Sequence, residues 1–291
     1  MKIIECPRDA MQGISTFIPT KLKIKYLNQL LKIGFDTLDV GSFVSPKTVP
    51  QMRDTSEVLE QLAWEMYDTK LLTIVANARG AREASLFSQI SYLGFPLSVS
   101  ETFQRKNTNK GITEAFEEVK NIHNICLKNG MALVCYLSMG FGNPYGDPYD
   151  EAFLTEYIDQ LSKEGIEIFS LSDTIGSADP DSINRIYTSL KAAFPDLEIG
   201  VHLHSNPLLV KEKIEAAYQA GCRRFDSALK GLGGCPMATE VLVGNIPTEE
   251  LIEVLEENQE FLNLDKDELE KALKISTEVF PEIVRTPYFS N

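Results

Sequence analysis

The chain has 291 residues, 43% of them hydrophobic, a length that allows two ordinary domains or one α/β barrel. Its formal charge of −14 argues against nucleic acid and anionic membrane as partners, because a non-specific phosphate binder needs a basic surface. No apolar stretch is long enough for a signal or transmembrane segment and the chain starts directly with Met1-Lys2-Ile3-Ile4, so we expect a cytoplasmic protein.

Short apolar runs alternate along the chain with longer amphipathic runs. The short runs predict eight strands, at residues 2–6, 35–40, 71–76, 96–100, 131–137, 166–171, 198–204 and 224–228. The amphipathic runs have apolar residues at helical spacing and predict helices at 21–32, 55–66, 79–92, 113–129, 151–164, 181–194, 207–220 and 248–257. Residues 7–12 are expected to form a loop that carries Arg8 and Asp9 side by side.

This alternation predicts parallel strands that helices cover on the outside. The expected fold class is α/β, a (β/α)8 TIM barrel over residues 1–257, followed by a short C-terminal helical extension, 258–291, packed on the barrel. A doubly wound open sheet is the main alternative. Its dinucleotide-binding form is not supported, because no G-x-G-x-x-G follows the first strand.

Two of the three histidines, His202 and His204, lie one residue apart in the predicted strand 198–204. Successive side chains of a strand alternate between its faces, so both imidazoles project to the same side. Two imidazoles on one rigid strand suit a divalent metal. An isolated pair of this kind is about as often two core histidines with satisfied hydrogen bonds. The third, His123, lies on a predicted helix without a motif and is interpreted as structural.

Polar residues stand at the carboxyl ends of the predicted strands, where a TIM barrel builds its active site. They are Arg8, Asp9, Asp39, Ser42, Glu101, Ser170, Asp173, His202, His204, Asp226 and Cys235. Strands one, seven and eight adjoin in a closed barrel, so Asp9 could reach a metal shared with His202 and His204. A mixed oxygen and nitrogen set suits Mg²⁺ or Mn²⁺ at least as well as Zn²⁺.

Each of these residues also has an ordinary structural interpretation when it is taken alone. Arg8-Asp9 is then a loop ion pair, and Asp173 a helix cap. The five cysteines are odd in number and lack CxxC spacing, which indicates reduced thiols. Four of them fit structural positions, whereas Cys235 follows the glycine-rich Gly231-Leu232-Gly233-Gly234. The joint occurrence of these residues favours a functional site.

Six motifs, in order through nearly the whole chain, resemble those of the 3-hydroxy-3-methylglutaryl-CoA lyase family. They are Arg8-Asp9, Ser42-Phe43-Val44-Ser45-Pro46-Lys47 with Val49-Pro50-Gln51-Met52, Lys106-Asn107-Thr108-Asn109, Ser172-Asp173-Thr174-Ile175-Gly176, His202-Leu203-His204 and Gly231-Leu232-Gly233-Gly234-Cys235-Pro236. Arg-Asp and His-x-His also occur in isopropylmalate and homocitrate synthases. The motifs at 42–47 and 234–236 are more specific to the lyase.

The resemblance implies a metal-dependent enzyme of leucine degradation that cleaves 3-hydroxy-3-methylglutaryl-CoA to acetyl-CoA and acetoacetate. It implies Mg²⁺ or Mn²⁺ as cofactor, an acyl-CoA as small-molecule partner and a homodimer. The implied metal ligands are Asp9, His202, His204 and, by motif carry-over, Asn245. The implied catalytic residues are Arg8, Cys235, His202, Asp39 and Asp173. The implied substrate-binding residues are Arg8, Ser42, Lys47 and Glu101.

The chain departs from the family pattern at a few positions. Ala10 stands where a glycine is usual, Asp39 where glutamate is common, and the segment 235–245 is one residue longer. Three alternatives to the lyase therefore stay open: a related condensing synthase, a lyase of another 3-hydroxyacyl-CoA, and a non-catalytic barrel scaffold. The short C-terminal extension argues against the synthase, and the presence of all expected ligands argues against the scaffold.

Overall fold

The structure, a computed structural model, describes residues 1–234 and 243–281. Eight parallel strands pair in chain order, and the first closes on the last, so the predicted TIM barrel is confirmed. The strands are β1 (Lys2–Glu5), β2 (Thr37–Ser42), β3 (Lys70–Ile74), β4 (Ile90–Ser98), β5 (Ala132–Ser138), β6 (Ile168–Ser172), β7 (Glu198–His202) and β8 (Arg224–Ser227).

Helices connect the strands around the outside of the barrel and cover its apolar outer face. They are α1 (Pro7–Gln12), α2 (Thr20–Leu31), α3 (Thr55–Glu60), α4 (Ala78–Ala84), α5 (Glu101–Thr108), α6 (Ile112–Lys128), α7 (Ala152–Lys163), α8 (Pro180–Ala193), α9 (Val210–Gln219), α10 (Thr248–Glu257) and α11 (Lys266–Val279). Short 3-10 turns occupy Pro50–Met52, Trp64–Met66 and Leu229–Gly231. None of the helices in the described ranges is long and apolar enough to cross a membrane.

A separate small apolar cluster comes from the faces of β3 to β6 that alternate with the outer ones, and it packs toward the barrel interior. Its members are Leu72, Tyr92, Val134, Tyr136 and Ile168. Gly94 makes room for this packing, since a Cβ there would lie 2.5 Å from Ile74 Cδ1 and 2.9 Å from Tyr136 Cε2. The interior is therefore packed side chain against side chain, and polar groups collect at its carboxyl end.

The prediction of a loop at residues 7–12 was wrong, because this segment is the short helix α1. Pro7 occupies the first helical position, where a missing N–H costs nothing and the fixed φ suits a helix. The amide of Ala10 donates to Cys6 O at 3.1 Å. This turn of helix fixes the direction in which Arg8 and Asp9 leave the backbone.

The boundaries around β4 were also predicted incorrectly. Ala81, Ala84, Phe87 and Ile90 have helical spacing, but α4 ends at Ala84 and the strand begins at Ile90. The strand was expected to start at Pro96, since proline usually opens a strand or lies at an edge. In the barrel, Pro96 instead lies inside β4 opposite Tyr136. Helix 55–66 ends at Glu60, and α5 was not predicted. Strand β7 ends at His202, so His204 lies two residues beyond the strand that was expected to contain it.

The described part of the C-terminal extension lies against α2. The side-chain amide of Gln29 donates to Glu268 Oε2 at 2.6 Å, and Asp265 N donates to Ile33 O at 2.8 Å. Lys25 and Glu278 form an exposed ion pair, 2.8 Å apart, across the same contact. Residues 282–291 of the expected tail lie outside the described residues.

Candidate metal centre and active site

Three side chains from opposite ends of the chain meet at the carboxyl end of the barrel. Asp9 comes from α1, His202 ends β7, and His204 follows two residues later. One carboxylate oxygen and one nitrogen of each imidazole lie within 4.8 Å of one another. Asp9 and His204 are buried, and the His202 side chain is 12% exposed. The closure of β1 on β8 thus brings together the three residues that the sequence predicted as metal ligands.

The hydrogen bonds of the two imidazoles aim their Nε2 atoms at the same point. His202 Nδ1 lies 3.1 Å from Asp226 Oδ2, and His204 Nδ1 lies 3.2 Å from Thr174 O. Both partners are acceptors, so in the neutral form of each ring Nδ1 carries the hydrogen and Nε2 keeps a lone pair. The two Nε2 atoms are 3.2 Å apart. Two lone pairs facing each other beside a carboxylate fit a divalent cation, with Asp226 and Thr174 orienting the rings.

The surroundings favour a neutral His204 and an ionised Asp9, the states that bind a metal, whereas Asp226 favours the protonated form of His202. Burial and the neighbouring His202 lower the pKa of His204 to about 4, so its imidazole is neutral at physiological pH. Burial opposes ionisation of Asp9, but Arg8, the histidines and Asn245 outweigh it and hold the pKa at about 2. Burial also lowers the pKa of His202, yet the hydrogen bond and charge of Asp226 raise it above its ordinary value.

The Asp9 carboxylate is itself held by four further contacts. Its Oδ1 accepts from Arg8 Nη1 at 3.0 Å and from Gln12 Nε2 at 2.7 Å. Its Oδ2 accepts from Asn245 Nδ2 at 2.7 Å and from Gly234 N at 3.3 Å. The Asn245 nitrogen also donates to Leu232 O at 2.7 Å. In this arrangement Asn245 orients Asp9 through its nitrogen, and its ligation of a metal stays a prediction.

Glycine at position 233 permits residues 232–234 to approach Asp9 this closely. Its φ is +99°, and a Cβ there would lie 2.7 Å from Asn245 Nδ2 and 2.9 Å from Asp9 O. Any side chain would collide with the backbone of α1 in a conformation that L-residues avoid. Cys235, a predicted catalytic residue two positions further along the chain, lies outside the described residues.

Arg8 and Asp39 form a buried pair beside the three ligands. Arg8 Nε and Nη2 donate to Asp39 Oδ2 at 2.9 and 2.6 Å. Burial raises the pKa of Asp39 to about 6, although the adjacent Arg8 guanidinium opposes the rise. The other oxygen, Asp39 Oδ1, is buried and has no hydrogen-bond partner in the described part of the chain. Arg8 therefore lies in α1 and Asp39 inside β2, not in a loop and at a strand end as predicted, and Asp39 Oδ1 remains available as an acceptor.

The remaining predicted residues have different surroundings. Asp173 closes β6 but pairs with Lys213 at 2.8 Å, and both side chains are fully buried. The Ser42 hydroxyl is buried without a hydrogen-bond partner among residues 1–234 and 243–281. Lys47 is exposed in the loop after β2. Glu101 accepts from Ile112 N at 2.8 Å and pairs with Arg105 at 2.6 Å, so it joins α5 to α6.

Four side chains or carbonyls around the ligands were assigned no role from the sequence. They are Gln12, Thr174, Lys213 and Asp226. Asp226 was placed at the end of its strand, and the β7–β8 register sets it directly opposite His202. Its contact with His202 could have been inferred from that register. The contacts of Gln12 with Asp9 and Arg8 join residues three and four positions apart on α1 and follow once that segment is known to be a helix. Nothing in the local pattern indicates the contacts of Thr174 and Lys213.

The chain is similar to known proteins over nearly its whole length. A family model described as HMGL-like matches residues 2–276. The hydroxymethylglutaryl-CoA lyase YngG of Bacillus subtilis is 34% identical over 268 residues, which cover 92% of this chain and 89% of the relative. A mitochondrial hydroxymethylglutaryl-CoA lyase of Mus musculus is 32% identical over 258 residues, covering 88% of this chain and 78% of the relative. The structure of an HMG-CoA lyase from Acinetobacter baumannii in complex with coenzyme A and 3-methylmalate has a TM-score of 0.89 at 30% identity, covering 100% of this chain and 96% of that one.

Proposed function

The chain belongs to the HMGL-like family, and we propose on that ground that it is a metal-dependent carbon–carbon lyase. Its reaction is the cleavage of 3-hydroxy-3-methylglutaryl-CoA to acetyl-CoA and acetoacetate. The observation that carries this conclusion is the convergence of Asp9, His202 and His204 on one point of the barrel rim, beside the Arg8 guanidinium. Relatives named as lyases of this substrate span nearly the whole chain.

The substrate bears a tertiary hydroxyl on the carbon that is β to its thioester carbonyl. A divalent cation held by Asp9, His202 and His204 would supply Lewis acidity that lowers the pKa of this hydroxyl. Cleavage requires a base for the hydroxyl proton, and the electron pair of the breaking C–C bond moves into the thioester, giving an enolate. Asp39, whose Oδ1 has no hydrogen-bond partner in the described structure, is our candidate for the base.

Arg8 is suited to hold the enolate oxygen. Four of its N–H groups are used, two toward Asp39 and one each toward Asp9 and Gln12, which leaves one Nη2–H for the substrate. A guanidinium held in place by these contacts needs no reorganisation when negative charge develops. The enolate carbon must then receive a proton, and we propose the Cys235 thiol as its source.

The other assignments are proposals of finer detail. The metal is Mg²⁺ or Mn²⁺, and Asn245 completes its ligands or orients Asp9. The free Ser42 hydroxyl supports its contact with the acyl-CoA, and Lys47 and Glu101 are retained as substrate contacts. We also propose a cytoplasmic homodimer of leucine degradation. Its catalytic domain is residues 1–257 and its packed extension residues 258–291.

A product assay tests the proposed function. Protein loaded with Mn²⁺ is incubated with 3-hydroxy-3-methylglutaryl-CoA, and acetoacetate and acetyl-CoA are measured separately. We expect equal amounts of the two products, and little of either from His204→Ala, which loses a metal ligand. A condensing synthase would instead release free CoA from acetyl-CoA and an oxo acid. A lyase of another substrate would cleave a different 3-hydroxyacyl-CoA faster, and either result would refute the assignment.

A further inference from the structure

We propose that Lys213 is a positioning residue that fixes the metal ligand His204 through the main chain. The proposal rests on the metal centre of the proposed function. Lys213 lies on α9, on the outside of the barrel, and its side chain is fully buried. Its Nζ donates to His204 O at 2.7 Å, to Asp173 Oδ2 at 2.8 Å and to Gly176 O at 3.2 Å. An ammonium has three N–H groups, so each has one acceptor.

These three acceptors belong to the two segments that hold the His204 ring. The first segment is the backbone of His204 itself. The second is the turn after β6, which Gly176 N closes by donating to Asp173 O at 3.0 Å. Thr174 lies within this turn, and its carbonyl accepts the His204 Nδ1 hydrogen at 3.2 Å. Lys213 therefore holds His204 at its main chain and, through the turn, at its imidazole.

The Asp173 carboxylate, which pairs with Lys213 through Oδ2, is also bound through its other oxygen. Asp173 Oδ1 accepts from Ala178 N at 3.1 Å, just before α8 begins. With one oxygen on this amide and the other on Lys213, the Asp173 carboxylate holds the turn in place. Because its side chain is also completely buried, Asp173 acts as a positioning residue too.

Stability alone does not account for a charged pair at this place. Removing an ammonium and a carboxylate from water costs several kcal/mol, and well-packed apolar residues of similar volume are often as stable. A cation with three directed donors does what apolar residues cannot, since it fixes three specific carbonyl or carboxylate oxygens relative to one another. The oxygens it selects are those that set the position of a metal ligand.

The chain offers a matched control. Lys23 is also a buried lysine, 2% exposed, which pairs with Asp54 Oδ1 at 2.7 Å and donates to Gln51 O. It lies on α2, and its recorded hydrogen bonds and ring contact involve none of the three ligands. Lys23→Met removes a buried ammonium of the same kind without touching the turn after β6.

The experiment measures the Kd for Mn²⁺ by electron paramagnetic resonance, on full-length protein stripped with chelator and held well below its Tm. Outer residues that orient metal ligands typically change metal affinity by about 10- to 100-fold. We expect Lys213→Met to raise the Kd by that factor, and Lys23→Met to lower the Tm while leaving the Kd within about two-fold of wild type.

If Lys213→Met fails to fold, the double variant Asp173→Asn with Lys213→Met removes both charges together, and it should fold with the same weakened affinity. Wild-type affinity in whichever Lys213 variant folds, or an equal loss of affinity in Lys23→Met, would overturn the proposal. Wild-type protein that binds no Mn²⁺ would overturn the metal centre and this proposal together, so the two failures are distinguishable.

Discussion

Replacing Glu5 with glutamine should stabilise the barrel at alkaline pH. Glu5 ends β1 and is completely buried. Within the described structure, no lysine or arginine stabilises its charged form. Its Oε1 accepts from Leu229 N at 2.9 Å, and its Oε2 lies 2.5 Å from Thr248 Oγ1. Burial raises the pKa of Glu5 from 4.5 to about 8, although both hydrogen bonds oppose the rise. Glu5 is therefore neutral in the folded protein at neutral pH.

The size and sign of the effect follow from this raised pKa. The folded state holds the proton more tightly than the unfolded state, so stability from this group is complete below the unfolded pKa of 4.5 and is lost as pH rises through about 8. Since one pKa unit is worth about 1.4 kcal/mol, the loss is on the order of 5 kcal/mol. A neutral amide keeps the acceptor for Leu229 N and donates to Thr248, without the charge.

The assay is urea denaturation at pH 5 and at pH 9, from which the free energy of unfolding is obtained for wild type and for Glu5→Gln. The free energy of unfolding of Glu5→Gln minus that of wild type should be larger at pH 9 than at pH 5, by a few kcal/mol. Glu65→Gln, at an exposed side chain, serves as the control and should show no such shift. A difference that does not change with pH would show that Glu5 is not held neutral by burial, and the reasoning would fail.

Three further predictions concern the site. Arg8→Lys should lower kcat by about 10²- to 10³-fold, because an ammonium cannot keep both contacts with Asp39 and still face the enolate; a raised KM with normal kcat would contradict this. Asp226→Leu should raise the Kd for Mn²⁺ by about 10- to 100-fold, since the His202 Nδ1 hydrogen loses its acceptor. An unchanged Kd counts against that role. Cys235→Ala should bind Mn²⁺ normally but lose roughly 10²-fold in turnover, and Cys235→Ser should rescue little. Near-normal cleavage by Cys235→Ala would mean that the thiol is structural.

The sequence predicted the barrel and the meeting of Asp9, His202 and His204 for the same physical reason. Parallel strands buried on both faces have nearly continuous apolar runs, and the residues that interrupt the apolar pattern fall at the carboxyl ends of the strands. Asp9, His202 and His204 could then be placed together from strand closure alone. Residues 7–12 form a helix where a loop was predicted, but Asp9 still lies at the carboxyl end of the barrel.

Contacts that depend on packing between distant segments could not be predicted in the same way. Lys213 lies in Val210-Lys211-Glu212-Lys213-Ile214, where a lysine in an amphipathic helix normally faces water. Its burial depends on Asp173, 40 residues earlier in the chain, and on a backbone carbonyl that no side-chain pattern encodes. Glu5 is a similar case, because its partners Leu229 and Thr248 are more than 200 residues away.

The most direct test of the account is whether cleavage of 3-hydroxy-3-methylglutaryl-CoA depends on a cation bound by Asp9, His202 and His204. Protein is stripped with chelator, assayed for acetoacetate, and assayed again after Mg²⁺ or Mn²⁺ is restored. We expect almost no acetoacetate from the stripped protein and one acetoacetate per substrate cleaved after restoration, with no recovery in Asp9→Ala. Equal cleavage with and without the cation, or no acetoacetate under either condition, would contradict the account.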